Sequence, residues 1–232
     1  MADDVRRRVA VIVPARNEEA RIGSVLRAVT SCRLADEVIV VDDGSDDGTA
    51  RVASTFANVS VLKLPRNVGK AGAMWEGARS TKAGILAFVD ADLGGLRSEH
   101  LERIISPVLA DQCDMCVGIF HGGKPWSDAA QRVSPYLSGQ RTVKRELFES
   151  VPQMSELRMG VEIALNRAAK LRKARVLRVF LRGVSNCHKE QKLGLMKGTA
   201  ARLKMYGEIG HAMVKTRRKR KMSERYSRWR WK

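Results

Sequence analysis

The chain has 232 residues, 44% of them hydrophobic, which is enough to bury the core of one α/β domain with a tail. Four cysteines in a chain of this size argue against a disulfide-stabilised scaffold and favour a reducing, cytoplasmic compartment. The charged N-terminus lacks the apolar core of a signal peptide, and no segment approaches the roughly 18 apolar residues that span a bilayer.

The net charge of +18 is concentrated at one end of the chain. Residues 1–166 contain 21 Lys and Arg against 22 Asp and Glu, whereas residues 167–232 contain 22 against three. The last 18 residues, 215–232, combine ten Lys and Arg with Tyr226, Trp229 and Trp231. Such a segment indicates an anionic partner, either a membrane surface or a nucleic acid.

Strand-like and helical segments alternate along the chain. The predicted strands lie at 8–13, 37–41, 59–63, 84–89, 113–120 and 174–181, and the predicted helices at 18–30, 46–57, 70–82, about 97–109 and about 158–172. The strands are continuous apolar runs rather than alternating ones, which is typical of strands covered on both faces. This order predicts a mostly parallel sheet with ligands at the carboxyl ends of its strands.

Polar motifs follow four of the predicted strands, at the edge where such a ligand would bind. They are Pro14-Ala15-Arg16-Asn17-Glu18, the acidic loop from Asp42 to Thr49, the segment from Arg66 to Lys70, and Asp90-Ala91-Asp92. Two aspartates one residue apart after a buried strand provide the oxygen ligands that hard divalent cations prefer. Carboxylates converging on adjacent strand ends would also repel one another without a cation, so we expect Mg²⁺ or Mn²⁺ there.

Cys113 and Cys116 have the C-x-x-C spacing of some zinc sites. No second cysteine pair or histidine cluster completes such a site, and both residues lie in an apolar, strand-like run. We therefore expect two buried thiols.

In this order and at these distances, the four polar motifs resemble those of the family-2 glycosyltransferases of GT-A fold, a single Rossmann-like nucleotide-sugar-binding domain. The resemblance implies that the loop from Pro14 to Glu18 cups the nucleobase and that an acid of the second motif contacts the nucleoside. We prefer Asp43 to Asp42, although strand parity leaves both open. It further implies that Gly69 and Lys70 close over the donor, with a solvated Lys70 as the alternative.

The same resemblance assigns the end of the fourth strand. Asp90 and Ala91 would contact the donor sugar nucleotide, and Asp92 together with Asp90 would hold the metal. His188 occupies the region in which relatives carry a metal-binding histidine, although Asn186 is an alternative for that position.

On the acceptor side, the segment from Ser138 to Glu146 resembles S-G-x-R-x-x-R-R-E of dolichyl-phosphate mannose synthases and glucosyl-3-phosphoglycerate synthases. Arg141 would bind a phosphate in bidentate fashion, or else begin a charged helix. Glu162 matches a family acid near the acceptor, or else occupies an exposed helix position. Together with Asp92, these two residues form the predicted catalytic set. The glycine- and proline-containing loop 121–136 is expected to be a mobile lid.

The implied domain organisation has a core followed by two basic segments. It comprises a glycosyltransferase domain over 1–190 (nucleotide-sugar part about 1–93, acceptor part about 94–190), an amphipathic helix over 191–214 and a tail over 215–232. The tail favours peripheral attachment at an anionic membrane, while the nucleotide motifs argue against a protein that mainly binds nucleic acid.

These motifs predict inverting, non-processive transfer of one sugar from a UDP- or GDP-sugar to a phosphorylated acceptor. A polyprenyl phosphate or other membrane-associated acceptor is slightly favoured over a small soluble acid such as 3-phosphoglycerate. A processive enzyme would carry Q-x-x-R-W with membrane spans, and this chain has neither. A sugar-nucleotide pyrophosphorylase would open with G-x-G-x-R, where this chain has Pro14-Ala15-Arg16.

Overall fold

The computed structural model describes residues 7–121, 139–152, 154, 157 and 160–186. The described strands are β1 (Val9–Ala15), β2 (Glu37–Asp42), β3 (Ser60–Lys63), β4 (Ile85–Phe88), β5 (Leu93–Gly94), β6 (Met115–His121), β7 (Arg141–Lys144), β8 (Val176–Arg182) and β9 (Ser185–Asn186). The described helices are α1 (Glu19–Thr30), α2 (Thr49–Ala53), α3 (Lys70–Arg79), α4 (Ser98–Leu109), α5 (Arg145–Glu149) and α6 (Val161–Leu171).

Seven strands form one sheet in the order β3-β2-β1-β4-β7-β6-β8. β7 is antiparallel to both of its neighbours, and the other strands run parallel to one another. The predicted mostly parallel α/β sheet is therefore confirmed. Because β1, β2, β3 and β4 are parallel, the loops that follow them lie at the same edge.

Two apolar cores lie on opposite faces of this sheet. Val9, Val11 and Val13 of β1 pack with α1 and α4, while Ala10 and Ile12 pack with α3, α5 and α6. Successive side chains of a strand point to opposite faces, so burial on both sides explains the continuous apolar runs of the sequence. Cys113 and Cys116 are both buried, as the buried-thiol interpretation predicted. None of the described helices is long and apolar enough to cross a bilayer.

Two predicted helices begin or end elsewhere in the structure, and one of the two alternatives for Arg141 is excluded. The predicted helix 46–57 is shorter, Thr49–Ala53, because the residues before it form a loop in which Asp47 accepts hydrogen bonds from Thr49. The predicted helix from 158 begins only after Gly160, whose φ of 84° is left-handed. Arg141 begins strand β7 rather than a charged helix. This four-residue strand has a charged residue at each end, so it gives no apolar run.

A second, two-stranded sheet joins distant parts of the chain. Leu93 of β5 pairs with Asn186 of β9, and Gly94 pairs with Ser185. Asn186, the last described residue before His188, therefore lies beside Leu93, which directly follows Asp92. His188 itself, the lid loop beyond His121, the predicted helix 191–214 and the tail 215–232 lie outside the described residues.

Arg145 links the start of α5 by hydrogen bonds to the segment that connects α3 with β4. Its guanidinium donates to the carbonyl oxygens of Ala83 (2.7 Å), Ala78 (3.0 Å) and Thr81 (3.0 Å). These carbonyls lie at and after the end of α3, where a helix leaves acceptors without intrahelical partners. Arg145 thus has a structural role within the family-like acceptor segment.

Arg145→Met should lower the free energy of unfolding by about 3 kcal/mol, because it leaves these half-buried carbonyls without charged donors. The measurement is urea unfolding at an unchanged denaturant slope. Arg79→Met is the matched control, since Arg79 is exposed and, among the described residues, forms an ion pair with Glu76 of the same helix (3.5 Å). Equal stability of the two variants would contradict this structural role of Arg145.

Candidate active site

The loops after β1 and β2 are joined by reciprocal hydrogen bonds. The backbone N–H of Asn17 donates to Ser45 Oγ (3.0 Å), and the N–H of Asp46 donates to Asn17 Oδ1 (2.9 Å). The N–H of the buried Glu18 donates to Thr49 Oγ1 (2.8 Å). Asn17 has a φ of 55°, a left-handed conformation that asparagine tolerates better than most residues. The first two predicted motifs therefore form one structural unit.

Asp43 holds the segment that leads into α3. Its backbone N–H donates to Ala15 O (2.8 Å), which fixes it against the end of β1. Its two carboxylate oxygens accept the N–H groups of Val68 (2.6 Å) and Gly69 (2.9 Å). Gly69 has a φ of 86°, which a residue with a side chain rarely adopts. Both oxygens of Asp43 are thus bound to protein in this conformation.

A cavity of about 570 Å³ opens at the carboxyl ends of β1, β2 and β3. Asp42, Arg16, Arg66 and Asn67 contribute to its wall, whereas Asp43 does not. Asp42 Oδ1 accepts the backbone N–H of Ser45 (3.1 Å), and the Ser45 hydroxyl also donates to it. A pocket with both cations and a carboxylate suits a ligand that carries hydroxyl donors and anionic or carbonyl acceptors.

Lys70, at the start of α3, bridges two carboxylates from different parts of the chain. Its Nζ lies 2.7 Å from Asp90 Oδ1, after β4, and 2.8 Å from Glu162 Oε1, at the start of α6. Burial opposes the charging of Lys70, but the two carboxylates raise its pKa above the usual value. Burial likewise opposes ionisation of Asp90, yet the adjacent Lys70 ammonium lowers the pKa of Asp90 overall.

The residues that open β7 complete this cluster. Gln140 is 1% exposed, and its Nε2 donates to Asp90 Oδ2 (2.8 Å). Arg141 is 0% exposed, and its Nη1 lies 3.4 Å from the backbone oxygen of Glu162. Burial lowers the pKa of Arg141, although the charges of Glu162 and Asp90 oppose this. A Cβ at Gly139 would collide with Lys70 Nζ and Asp90 Oδ2, so only glycine permits this close approach.

The structure thus brings Lys70, Asp90, Arg141 and Glu162 together, in one cluster that also contains Gln140. Sequence reasoning missed Gln140 and Gly139 because it selected only the arginine of the Ser138–Glu146 segment. The feature of the sequence that could have identified them is their position directly before Arg141. The phosphate contact of Arg141 stays a prediction, since its guanidinium is buried in this conformation.

The predicted acidic cleft is largely compensated by protein donors. Asp43 is bound by two backbone N–H groups, Asp42 by Ser45 and Asp90 by Lys70 and Gln140. These carboxylates therefore depend less on a cation to relieve their repulsion than the sequence suggested.

The donor set near Asp90 and Asp92 still fits a hard divalent cation. Within the described ranges, no group of three or more His, Cys, Asp or Glu residues is placed to hold a metal. Two carboxylates at one strand end nevertheless match the oxygen-rich, incomplete protein coordination of Mg²⁺, in which substrate phosphates supply further ligands. Asp92 is half-buried, and Ala91 between the two acids is buried.

The arrangement of four polar loops at one edge of a mostly parallel sheet agrees with the family comparison. The model of the family described as glycosyl transferase family 2 matches residues 10–170, well over half of the chain. The chain belongs to this family.

The chain is 37% identical over 102 residues to 4,4'-diaponeurosporenoate glycosyltransferase of Staphylococcus aureus (strain USA300). This alignment covers 42% of the chain but only 27% of that protein, so the chain spans about a quarter of the length of this curated relative.

Solved structures of glucosyl-3-phosphoglycerate synthase from Mycobacterium tuberculosis are similar over most of the chain. The complex with Mn²⁺, UDP and phosphoglyceric acid has a TM-score of 0.66 and 27% identity, covering 83% of this chain and 76% of that one. The complex with Mg²⁺ and UDP has a TM-score of 0.66 and 25% identity, covering 90% and 82%. These similarities, with the seven-stranded sheet, confirm the predicted GT-A fold.

Lys70→Met should lower the free energy of unfolding by about 2 kcal/mol at neutral pH, because it leaves Asp90 and Glu162 facing each other without the ammonium. The lowered pKa of Asp90 means that its ion pair stabilises the fold above the unfolded pKa of about 3.9. That contribution is lost as the pH falls through the folded pKa. The deficit of Lys70→Met should therefore shrink on acidification, as measured by urea unfolding across pH.

The matched control is Lys82→Met, which removes an exposed ammonium and should behave as the wild type. If Lys70→Met lowers the free energy of unfolding by the same amount at neutral and acidic pH, the lysine stem, rather than its charge, stabilises the fold.

Proposed function

We propose that the chain transfers one sugar from a nucleoside-diphosphate sugar, a UDP- or GDP-sugar, to a phosphorylated acceptor, with inversion at the anomeric carbon. The observation that carries this proposal is the adjacency of two regions at one sheet edge. A polar cavity lies at the ends of β1 to β3, and the Lys70–Asp90–Glu162 cluster lies beside the end of β4. The first region suits the nucleoside, and the second suits the diphosphate and the transferred sugar.

Family-2 membership supports glycosyl transfer rather than pyrophosphorylase chemistry. The glucosyl-3-phosphoglycerate synthase complexes with UDP and either Mn²⁺ or Mg²⁺ support a uridine donor and a divalent cofactor. In this proposal Asp92 and Asp90 hold the cation, and His188, which lies outside the described residues, is the further ligand that the family resemblance implies. The bound cation would supply positive charge that stabilises the departing diphosphate.

The remaining steps belong to side chains of the chain itself. The loop from Pro14 to Glu18 and the acids after β2 would orient the nucleoside, and Gly69 would let the backbone approach the donor closely. Lys70 would provide an ammonium to the diphosphate, since its stem already directs the charge toward the end of β4. Preorganised donors of this kind require no rearrangement as negative charge develops on the leaving group.

The ion pair between Glu162 and Lys70 bears on which kind of acceptor the site would use. A hydroxyl acceptor must lose a proton to a placed base, whereas a phosphate acceptor arrives ionised and needs none. Because Glu162 is bound to the Lys70 ammonium and Arg141 lies beside it, the cluster favours an anionic acceptor. Arg141 would reach that phosphate after a rearrangement of β7, in the role that the family resemblance implies.

Two phosphorylated acceptors remain candidates. A membrane-associated polyprenyl phosphate is favoured by the basic, aromatic composition of 215–232, which also suggests a cytoplasmic enzyme attached peripherally to a membrane. A small soluble acid is favoured by the similarity to glucosyl-3-phosphoglycerate synthase, solved with phosphoglyceric acid. The tail, the predicted helix 191–214 and the proposed lid within 121–136 lie outside the described residues, apart from His121 at the end of β6.

Asp92→Asn should keep the fold and reduce turnover by about a hundredfold or more, because it removes an anionic ligand of the proposed cation. Donor hydrolysis and transfer should be measured over a panel of UDP- and GDP-sugars with Mg²⁺ or Mn²⁺, alongside thermal unfolding. Glu99→Gln, on the exposed start of α4, is the control for loss of one carboxylate. Full activity of Asp92→Asn, or of the wild type in excess chelator, would refute the metal-dependent proposal.

Asp42→Asn and Asp43→Asn should separate contact with the nucleotide from support of the loop. We expect Asp42→Asn to weaken UDP or GDP binding about tenfold with stability retained, since Asp42 lines the cavity. Asp43→Asn should also lower the free energy of unfolding, by about 2 kcal/mol, because an amide cannot accept both N–H groups. Calorimetric titration and urea unfolding measure the two effects. Weaker binding by Asp43→Asn at unchanged stability would instead support direct nucleoside contact by Asp43.

A further inference from the structure

The described sheet ends in a cationic edge. β8 is the last strand of the sheet order, and the C-terminal turn of α6 leads into it. The sequence contains no Asp or Glu between Glu162 and Glu190. The exposed cations of this stretch within the described residues are Lys170, Arg172, Lys173, Arg175, Arg178 and Arg182. We refer to residues 170–182 as the α6–β8 edge.

Large apolar side chains protrude among these cations. Leu171 is 63% exposed, Phe180 is 54% exposed and Leu177 is 40% exposed, and within the described ranges the exposed large hydrophobic residues are these three. Leu177 and Phe180 are an odd number of residues apart in β8, so they point to opposite faces of the sheet. Apolar surface therefore borders the open edge on both sides.

Two simpler explanations account for only part of this surface. Charged residues on an edge strand prevent pairing with other strands, which would explain the arginines but not the protruding leucines and phenylalanine. Pairing with a second copy of the chain would bury the apolar side chains. It would also set two rows of like charges opposite each other, and opposed like charges destabilise a strand pair. An anionic lipid surface satisfies both features, because cations meet headgroups while apolar side chains enter the headgroup boundary.

The edge is also connected to the candidate site. β7 is antiparallel to both β4 and β6, so β4 and β6 run in the same direction. Because β8 is parallel to β6, β8 and β4 end at the same side of the sheet. After Arg182 the chain turns at Gly183 and forms β9, which pairs with β5 directly after Asp92. The Arg182 end of β8 thus lies at the end of the sheet that carries the site, whereas residues 170–175 lie at the other end, so a surface that contacts the whole edge runs along the side of the sheet.

We propose that the α6–β8 edge docks on an anionic lipid surface and sets the orientation of the site toward a membrane-held acceptor. The orientation rests on the proposed function, whereas docking itself requires no catalysis. Arg175 contributes little, because its guanidinium is paired with Asp111 (2.7 Å) and Asp114 (2.9 Å).

The test is co-sedimentation of the full chain with vesicles of phosphatidylcholine and phosphatidylglycerol, and with vesicles of phosphatidylcholine alone, over a salt series. R172Q/R182Q should weaken partitioning to the anionic vesicles about tenfold or more and reduce its salt dependence. Leu171→Ser should weaken partitioning with little change in salt dependence, because it removes only apolar surface. R27Q/R33Q removes two exposed arginines near α1 and is the matched control, with partitioning close to the wild type.

Three results would overturn the proposal. The edge variants could partition as the wild type while R217Q/R218Q releases the protein, which would assign binding to the tail alone. R27Q/R33Q could lose as much partitioning to anionic vesicles as R172Q/R182Q, which would indicate attraction by net charge without a defined surface. R172Q/R182Q could lose binding to single-stranded RNA while retaining vesicle binding, which would indicate a nucleic-acid surface. Donor hydrolysis by the same samples tests the proposed glycosyl transfer separately, since partitioning is measured without donor.

Discussion

The ammonium of Lys70 joins the two halves of the candidate site. It reaches Asp90 after β4 and Glu162 at the start of α6, which are 72 residues apart in sequence, at 2.7 and 2.8 Å. A cation at the N-terminus of a helix is opposed by the helix dipole, so this position requires compensation. The two carboxylates provide it, and Asp43 adds negative charge at the same helix start by accepting the N–H groups of Val68 and Gly69. Removal of any one of these charges leaves the others poorly compensated.

The same polar residues define both the shape and the chemistry of the site. Asn17 donates to Ser45 and accepts from Asp46 between the loops after β1 and β2, and Asp43 fixes the loop after β3 against them. These contacts hold the cavity wall without a ligand, so a nucleotide would meet donors and acceptors that are already oriented. Because less ordering is then left to binding, affinity depends on the geometry of the loops as well as on direct contacts.

The sequence predicted the elements whose signal is local. The apolar runs of β1, β2 and β4 were predicted correctly, and the polar motifs after them do lie together at one edge of the sheet. β7 was not predicted, because its four residues contain no apolar run and its pairing depends on β4 and β6, which are distant in sequence. The complete burial of Arg141 could not be predicted either, since it depends on Glu162 and Asp90 lying beside it in the fold. Strand parity could not show which of Asp42 and Asp43 lines the cavity. That depends on the loop at Val68, whose N–H group is bound by Asp43.

The charges are nearly balanced around the candidate site and strongly positive in the part of the chain that follows it. Around the cavity, cations such as Arg16 and Arg66 stand with Asp42, and in the adjacent cluster Lys70 stands with Asp90 and Glu162. A nearly balanced site exerts little long-range field, so selection of the donor depends on directional hydrogen bonds at short range. The unbalanced charge begins at α6, after the acids that compensate the site, and continues through the basic end of the chain. In the proposed function, such a one-sided field would orient the molecule toward an anionic partner without distorting the paired charges at the site.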